Sequence, residues 1–261
     1  MDRDVTTMQF FDLLDTGILT NGPLTPATAE SHGQFDAANG YSGVVAAIGE
    51  ISQAINTEGS LKNVITYLTD IANNYKKGFS SGIFCYSFNN QGANATVGKQ
   101  AAEIQNALVS NVGALAPFLD AESDYASSSA TITMVNNYNG NTSSGLFSDL
   151  AYYETKSTGT GTDWNCTTLQ KFLSVIGGTG VCVPQNYCIG NLGNYTACAL
   201  SGFLGVTVWA TEAENPTCGT GNSLGYQGGI DNFKSTFGAC PQQVLLVGGS
   251  DNSIDASKLT C

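Results

Sequence analysis

Seven of the chain's eight cysteines fall between Cys166 and Cys261, and their spacing limits what that half of the chain can become. Structural zinc takes four ligands, commonly as C-x(2-4)-C pairs or with histidines. The gaps separating Cys166, Cys182, Cys188, Cys198, Cys218, Cys240 and Cys261 are all wider, and the one histidine, His32, lies far upstream. A thioredoxin-like redox centre needs C-x-x-C, which is absent. Stretches such as "GVCVPQNYCIGNLGNYTACALSGF" set cysteines among Gly, Pro and Asn, where a thiol would be exposed and oxidisable. An even total in such settings predicts a disulfide framework that also takes in Cys85, and with it an extracellular or cell-surface location. Cys240 with Cys261 is the pair to expect first, because it would tie down a chain end. If all eight pair within the chain, Cys85 of "GIFCYSF" must bridge its two halves.

Charge narrows the function classes. Only 11% of residues are charged, and nine Lys plus Arg face 21 Asp plus Glu, a formal net of -12. Such a chain repels phosphate backbones and anionic lipid, so no nucleic-acid partner is expected. No apolar run is long enough to span a bilayer. The opening "MDRDVTTMQFFDLLDTG" lacks the apolar core of a secretory leader, so an extracellular location implies a leader outside this numbering. Asn94, Asn141, Asn165 and Asn194 each begin N-x-Ser/Thr and are candidate glycan acceptors.

Apolar periodicity predicts helices in the first half. Leu61, Val64, Ile65, Leu68, Ile71, Ala72 and Tyr75 make one stripe, with Ser60 placed to cap it and Gly78 to end it. Val44 to Ile55 and Ile104 to Leu115 predict two more, and Phe10, Phe11, Leu14 and Ile18 a shorter first one. Later the texture changes. "SATITMVNN" alternates as a half-buried strand would, "FLGVTVWAT" and "QQVLLVGG" are two further strands, and "TTLQKFLSVIGG" is a short helix. The expected fold is therefore α+β, one domain over 1–261, with a mainly helical region at 1–120 and a disulfide-bonded, antiparallel β-rich region at 121–261.

Few constellations could carry chemistry. A Ser-His-Asp or Cys-His site would have to use His32, whose context "AESHGQF" holds no nucleophile signature. Paired carboxylates remain open: Asp149, Glu154 and Asp163 near Tyr152, Tyr153 and Trp164, or Glu212 and Glu214 after Trp209. "DAESD" sets Asp120, Glu122 and Asp124 at alternate positions, like the opening of a calcium loop. The glycine and the closing glutamate of an EF-hand are missing, which leaves a non-EF Ca2+ site as the one cofactor expectation.

Few basic residues, abundant small polar ones and disulfides suit a durable exterior protein. The leading expectation is a non-enzymatic structural or surface-assembly subunit, a pilus-like filament, coat or adhesion component. It would self-associate through the Phe10, Phe11, Leu14 and Ile18 patch. The alternatives are a secreted carboxylate-dependent polysaccharide hydrolase and a carbohydrate-binding module.

Overall fold

The computed structural model describes residues 6–13, 24–150, 163–177, 180–209, 218, 220–247 and 254–261. Strands and helices alternate along them. The order is β1 (Thr6–Asp12), α1 (Ala29–Ala38), β2 (Gly43–Ala47), α2 (Ile51–Glu58), α3 (Leu61–Gly78), β3 (Ile83–Asn89), α4 (Ala95–Val112) and β4 (Phe118–Asp120). It continues with α5 (Ser128–Asn139), β5 (Phe147–Leu150), α6 (Cys166–Gly177), β6 (Val181–Pro184), α7 (Asn191–Ala197), β7 (Gly205–Trp209), α8 (Gly225–Phe237) and β8 (Gln243–Val247).

Among the described residues eight strands lie in one sheet, ordered β6-β5-β4-β3-β2-β1-β8-β7, and every paired neighbour is parallel. The two edge strands meet: Gln185 bridges Thr207 in parallel, and the Asn186 N–H donates to the Thr207 carbonyl at 2.8 Å. The sheet is thus an eight-stranded parallel barrel with a short closing seam. This corrects the α+β expectation of segregated helices and an antiparallel C-terminal half. A parallel strand in a barrel is buried on both faces, so "GVVAA" and "QVLLV" carry no polar alternation.

Side chains alternate across the barrel wall. Met8, Val45, Cys85, Phe118, Val183 and Leu245 fill the lumen as one apolar cluster. Their neighbours Val44, Ala46, Phe84, Tyr86, Leu119, Val206 and Val244 face out into the main core, against the helices. Phe10 packs with the lumen cluster, whereas Phe11 is 2% exposed on the outer side. The expected assembly helix is therefore a strand whose two phenylalanines point to opposite faces. Leu14 and Ile18 lie outside the described residues.

Other elements resolve as follows. α3 begins where Ser60 accepts the Asn63 N–H, and it runs to Gly78. The stripe from Val44 to Ile55 divides into β2 and α2. "SATITMVNN" is helical: Ser127 caps α5 by accepting the Ala130 N–H, and Thr131, Ile132, Met134, Val135 and Tyr138 form its buried side. No helix among the described residues is long and apolar enough to cross a membrane.

Three disulfides join Cys166 to Cys198, Cys188 to Cys218, and Cys240 to Cys261. Cys85 and Cys182 are free, which corrects the eight-cysteine framework. Cys85 sits in the lumen and Cys182 packs against the outer core, so the barrel wall separates them. Burial pushes both thiols up to about 12, leaving neither with thiolate character near neutral pH.

Candidate active site at the barrel mouth

In a parallel barrel the C-terminal strand ends and the loops after them form one face, and side chains from several strands converge there. Above the apolar lumen cluster the inward positions turn polar: Ser87 on β3, Asp120 on β4, Gln185 after β6 and Thr207 on β7. Ser87 lies two residues beyond Cys85, and Thr207 lies beside Gln185 across the seam. Ser87 is 1% exposed and Thr207 0%, and their hydroxyl oxygens have no hydrogen-bond partner among the described residues. Asp149 on β5 stands at the register position beside Asp120.

Asp120 and Glu122 are two residues apart at the end of an extended segment, which places both side chains on one face. The amide Nε2 of Gln185 donates to Asp120 Oδ1 at 3.1 Å. Burial, reinforced by nearby Asp124, pushes Glu122 above the ordinary carboxyl range, and the nearby Gln185 amide acts in the opposite direction.

The Glu122 main chain is clamped from β3. The Asn90 N–H donates to the Asp120 carbonyl at 3.1 Å, while its side-chain oxygen accepts the Glu122 N–H at 2.9 Å. Its amide nitrogen donates to the Glu122 carbonyl and to Thr131 Oγ1, each at 2.9 Å. A side chain thus continues the strand ladder for one more rung. Asn90 is fully buried, so Asn90→Ala strands several polar groups at once. We expect it to cost about 2–4 kcal/mol in urea-induced unfolding, where a surface asparagine would cost almost nothing.

The segment carrying Glu122 is pinned at its far end as well. Asp163 accepts the Ser128 N–H and the Ser128 hydroxyl, both at 2.7 Å, capping α5. Burial acts to raise Asp163, but these bonds outweigh it and hold the carboxyl below its ordinary range. Trp164 is 2% exposed and donates from Nε1 to the Ala126 carbonyl at 2.7 Å. Both residues, expected as parts of a sugar site, instead brace the loop between β4 and α5. Glu154, Glu212, Glu214, Tyr152 and Tyr153 fall outside the described residues, and nothing is described of the Asp149 and Trp209 side chains.

The three acidic residues of the calcium expectation do not form a cluster among the described residues. Asp124 is exposed, and among the described residues no three His, Cys, Asp or Glu side chains gather so as to hold a metal ion. Two sequons serve the fold directly. The Asn94 side chain accepts the Thr96 and Val97 N–H groups to cap α4, and Asn165 does the same for Thr167 and Thr168 at α6. Their amide nitrogens donate to the Gly92 and Asp163 carbonyls. Asn141 is exposed and donates to the Asn137 carbonyl, and nothing is described of the Asn194 side chain. His32 lies in α1, its ring 4.9 Å from that of Phe11.

Asn90, Gln185, Ser87 and Thr207 are the residues that sequence reasoning missed. Asn90 and Gln185 closely follow apolar runs and Ser87 and Thr207 interrupt them, and those positions could have marked them once the strands were known to be parallel.

No family model matches the chain. No curated protein matches it. Solved structures resemble it in fold. An oxaloacetate acetylhydrolase is 10% identical, with 93% of this chain covering 75% of that one at a TM-score of 0.53. A D-allulose 3-epimerase from Methylomonas sp. is 11% identical, with 97% covering 87% at 0.51. A cog1816 amidohydrolase from Burkholderia ambifaria with bound Zn is 9% identical, and this chain spans 47% of its length at 0.47, a score too low to carry an argument. The expectation of a non-enzymatic filament, coat or adhesion subunit is corrected on two grounds: its docking helix does not form, and the barrel is similar to those of enzymes.

Proposed function

We propose that this chain is an enzyme working by carboxyl acid–base chemistry at the barrel mouth, and that its reaction is hydrolysis of a glycosidic bond in a neutral carbohydrate. The observation that carries this reading is the pair Asp120 and Glu122, set on one face, with Glu122 pushed up as a proton donor and Asp120 held by an N–H. Glycoside cleavage needs one carboxylic acid to protonate the leaving oxygen and one carboxylate to support attack at the anomeric carbon. It needs no histidine.

The surroundings favour an uncharged substrate. Gln185, Ser87 and Thr207 offer an amide and hydroxyls suited to sugar hydroxyls. An anionic substrate, such as the oxaloacetate named for one fold neighbour, would meet two carboxyl groups and a net charge of -12. Three disulfides suit an oxidising, extracellular setting, which belongs to the same proposal.

The test is release of new reducing ends from neutral oligosaccharides of glucose, N-acetylglucosamine or xylose. Wild-type protein is expected to cleave at least one of them, and Asp120→Asn to lower that turnover about a hundredfold or more. An Asp120→Asn enzyme of undiminished turnover would sink the proposal. So would an activity removed by EDTA and restored by a divalent cation, which would point to metal-assisted chemistry.

A further inference from the structure

We infer that Thr131 on α5 is a positioning residue for the two carboxyl groups: its hydroxyl fixes the Asn90 side-chain amide, and that amide holds the main chain from which Asp120 and Glu122 project. Thr131 is fully buried. Its hydroxyl donates to the Ser127 carbonyl at 2.9 Å and accepts from Asn90 Nδ2 at 2.9 Å. A hydroxyl has one proton to give. With that proton on Ser127, Thr131 presents only a lone pair to Asn90, so the group facing it must be the NH2. The Glu122 main chain demands the same orientation, because its N–H needs the Asn90 oxygen and its carbonyl needs the Asn90 nitrogen.

Strand pairing alone does not hold this segment. The register of β3 with β4 ends at Asn89 beside Asp120. The chain then leaves the sheet toward α4, and the Ala93 N–H donates to the Asn90 carbonyl at 3.1 Å. β3 has no further residue to pair with Glu122, so the Asn90 amide stands in for a peptide group. The Asn90 N–H is already on the Asp120 carbonyl, and one residue thus bonds the main chain on both sides of Ala121. The spacing of the two carboxyl-bearing residues depends on where Asn90 is held.

α5 can serve as the fixed end of this chain of bonds. Its first turn is tied through Ser128 to Asp163, and Ser127 caps it by accepting the Ala130 N–H at 3.2 Å. It also packs closely against α4: a Cβ at Gly98 would lie 2.2 Å from the Met134 carbonyl oxygen. The bare glycine lets the two helices meet backbone to backbone, which brings Asn90, just before α4, within bonding distance of Thr131. The helix itself does not need the hydroxyl, since the Ser127 carbonyl also accepts the Thr131 N–H at 3.0 Å. Threonine and valine have similar helix propensities, so a residue serving α5 alone would lose little by that exchange.

The catalytic consequence rests on the acid–base reading above, but the clamp can be measured without substrate. Hydrogen exchange at the Glu122 amide, followed by NMR in wild type, Thr131→Val and Thr131→Ser, reports its bond to Asn90, while the later amides of α5 report the helix. Thr131→Val is expected to speed exchange at Glu122 about tenfold or more and along α5 by less than about threefold. Thr131→Ser keeps the hydroxyl and should stay within about threefold at both. On a cleaved oligosaccharide, Thr131→Val should lower kcat about tenfold or more with KM within about twofold, and Thr131→Ser should retain most of the rate. Val64→Ala, a core substitution in α3, controls for lost stability and should leave kcat and the ratio of Glu122 to α5 exchange unchanged. If Thr131→Val does not fold, Thr131→Ala removes the same hydroxyl and carries the test. A folded variant whose Glu122 amide exchanges as in wild type would overturn the inference. Equal acceleration at Glu122 and along α5 would do so too, because Thr131 would then serve only the helix. If Glu122 responds as expected while wild type cleaves none of the neutral oligosaccharides, the clamp stands and the hydrolase proposal falls.

Discussion

Replacing Glu122 with glutamine is expected to lower turnover by about a thousandfold on a substrate with a poor leaving group, and to remove the alkaline limb of the pH profile. Glutamine keeps the shape of the side chain but has no proton to transfer to the departing oxygen. In the wild type, activity that depends on a protonated Glu122 is complete below its midpoint and is lost as pH rises through it. Burial first and Asp124 second push that midpoint above the ordinary value, and the limb should lie correspondingly higher. A nitrophenyl glycoside offers a control, because its leaving group departs without protonation. The variant should lose far less on that substrate. An equal loss on both substrates would assign Glu122 a structural role and remove it from the chemistry.

Asp36→Asn is expected to change how stability depends on pH, far from the mouth. Asp36 is fully buried between α1 and α3, where Tyr75 donates to its Oδ2 at 2.6 Å and its Oδ1 has no partner. Burial is the main cause of its rise to about 7, against which the Tyr75 bond acts only partly. An aspartate raised in this way contributes stability that is fully present below its unfolded value near 4 and is lost as pH rises through about 7. Ionising it in the folded protein costs roughly 4 kcal/mol across that window. Asparagine can still accept the tyrosine hydroxyl and cannot ionise. The variant should therefore match wild type within about 1 kcal/mol at pH 4 and exceed it by roughly 2–4 kcal/mol at pH 8. Parallel pH–stability curves from urea unfolding would show that Asp36 is not the group responsible.

Some of this molecule was legible without coordinates. The stripe from Leu61 to Tyr75 needed no tertiary information, because a helix with one buried side writes its period into the sequence, and Ser60 and Gly78 mark its ends. "FLGVTVWAT" and "QQVLLVGG" were recognisable as strands from β-branched content alone. The β1 strand was not, since apolar residues on both of its faces leave no alternation to read, and Phe10 with Phe11 imitates helical spacing. "SATITMVNN" failed in the opposite direction: its β-branched residues suit a strand in isolation, and packing against α4 and α6 makes them a helix.

Sequence by itself determined the local elements with one exposed side, the alternate placement of Asp120 and Glu122, and the scarcity of histidine and arginine that leaves carboxyl groups as the main acid–base tools. Only the tertiary structure decided which residues surround those carboxyls. Gln185 lies 65 residues from Asp120, and the Asn90 side chain reaches Glu122 across 32. Contacts over such separations exist only once parallel strands have set their register and the barrel has closed. That closure also settled the cysteines, because thiols on opposite sides of a barrel wall cannot meet, whatever their spacing along the chain.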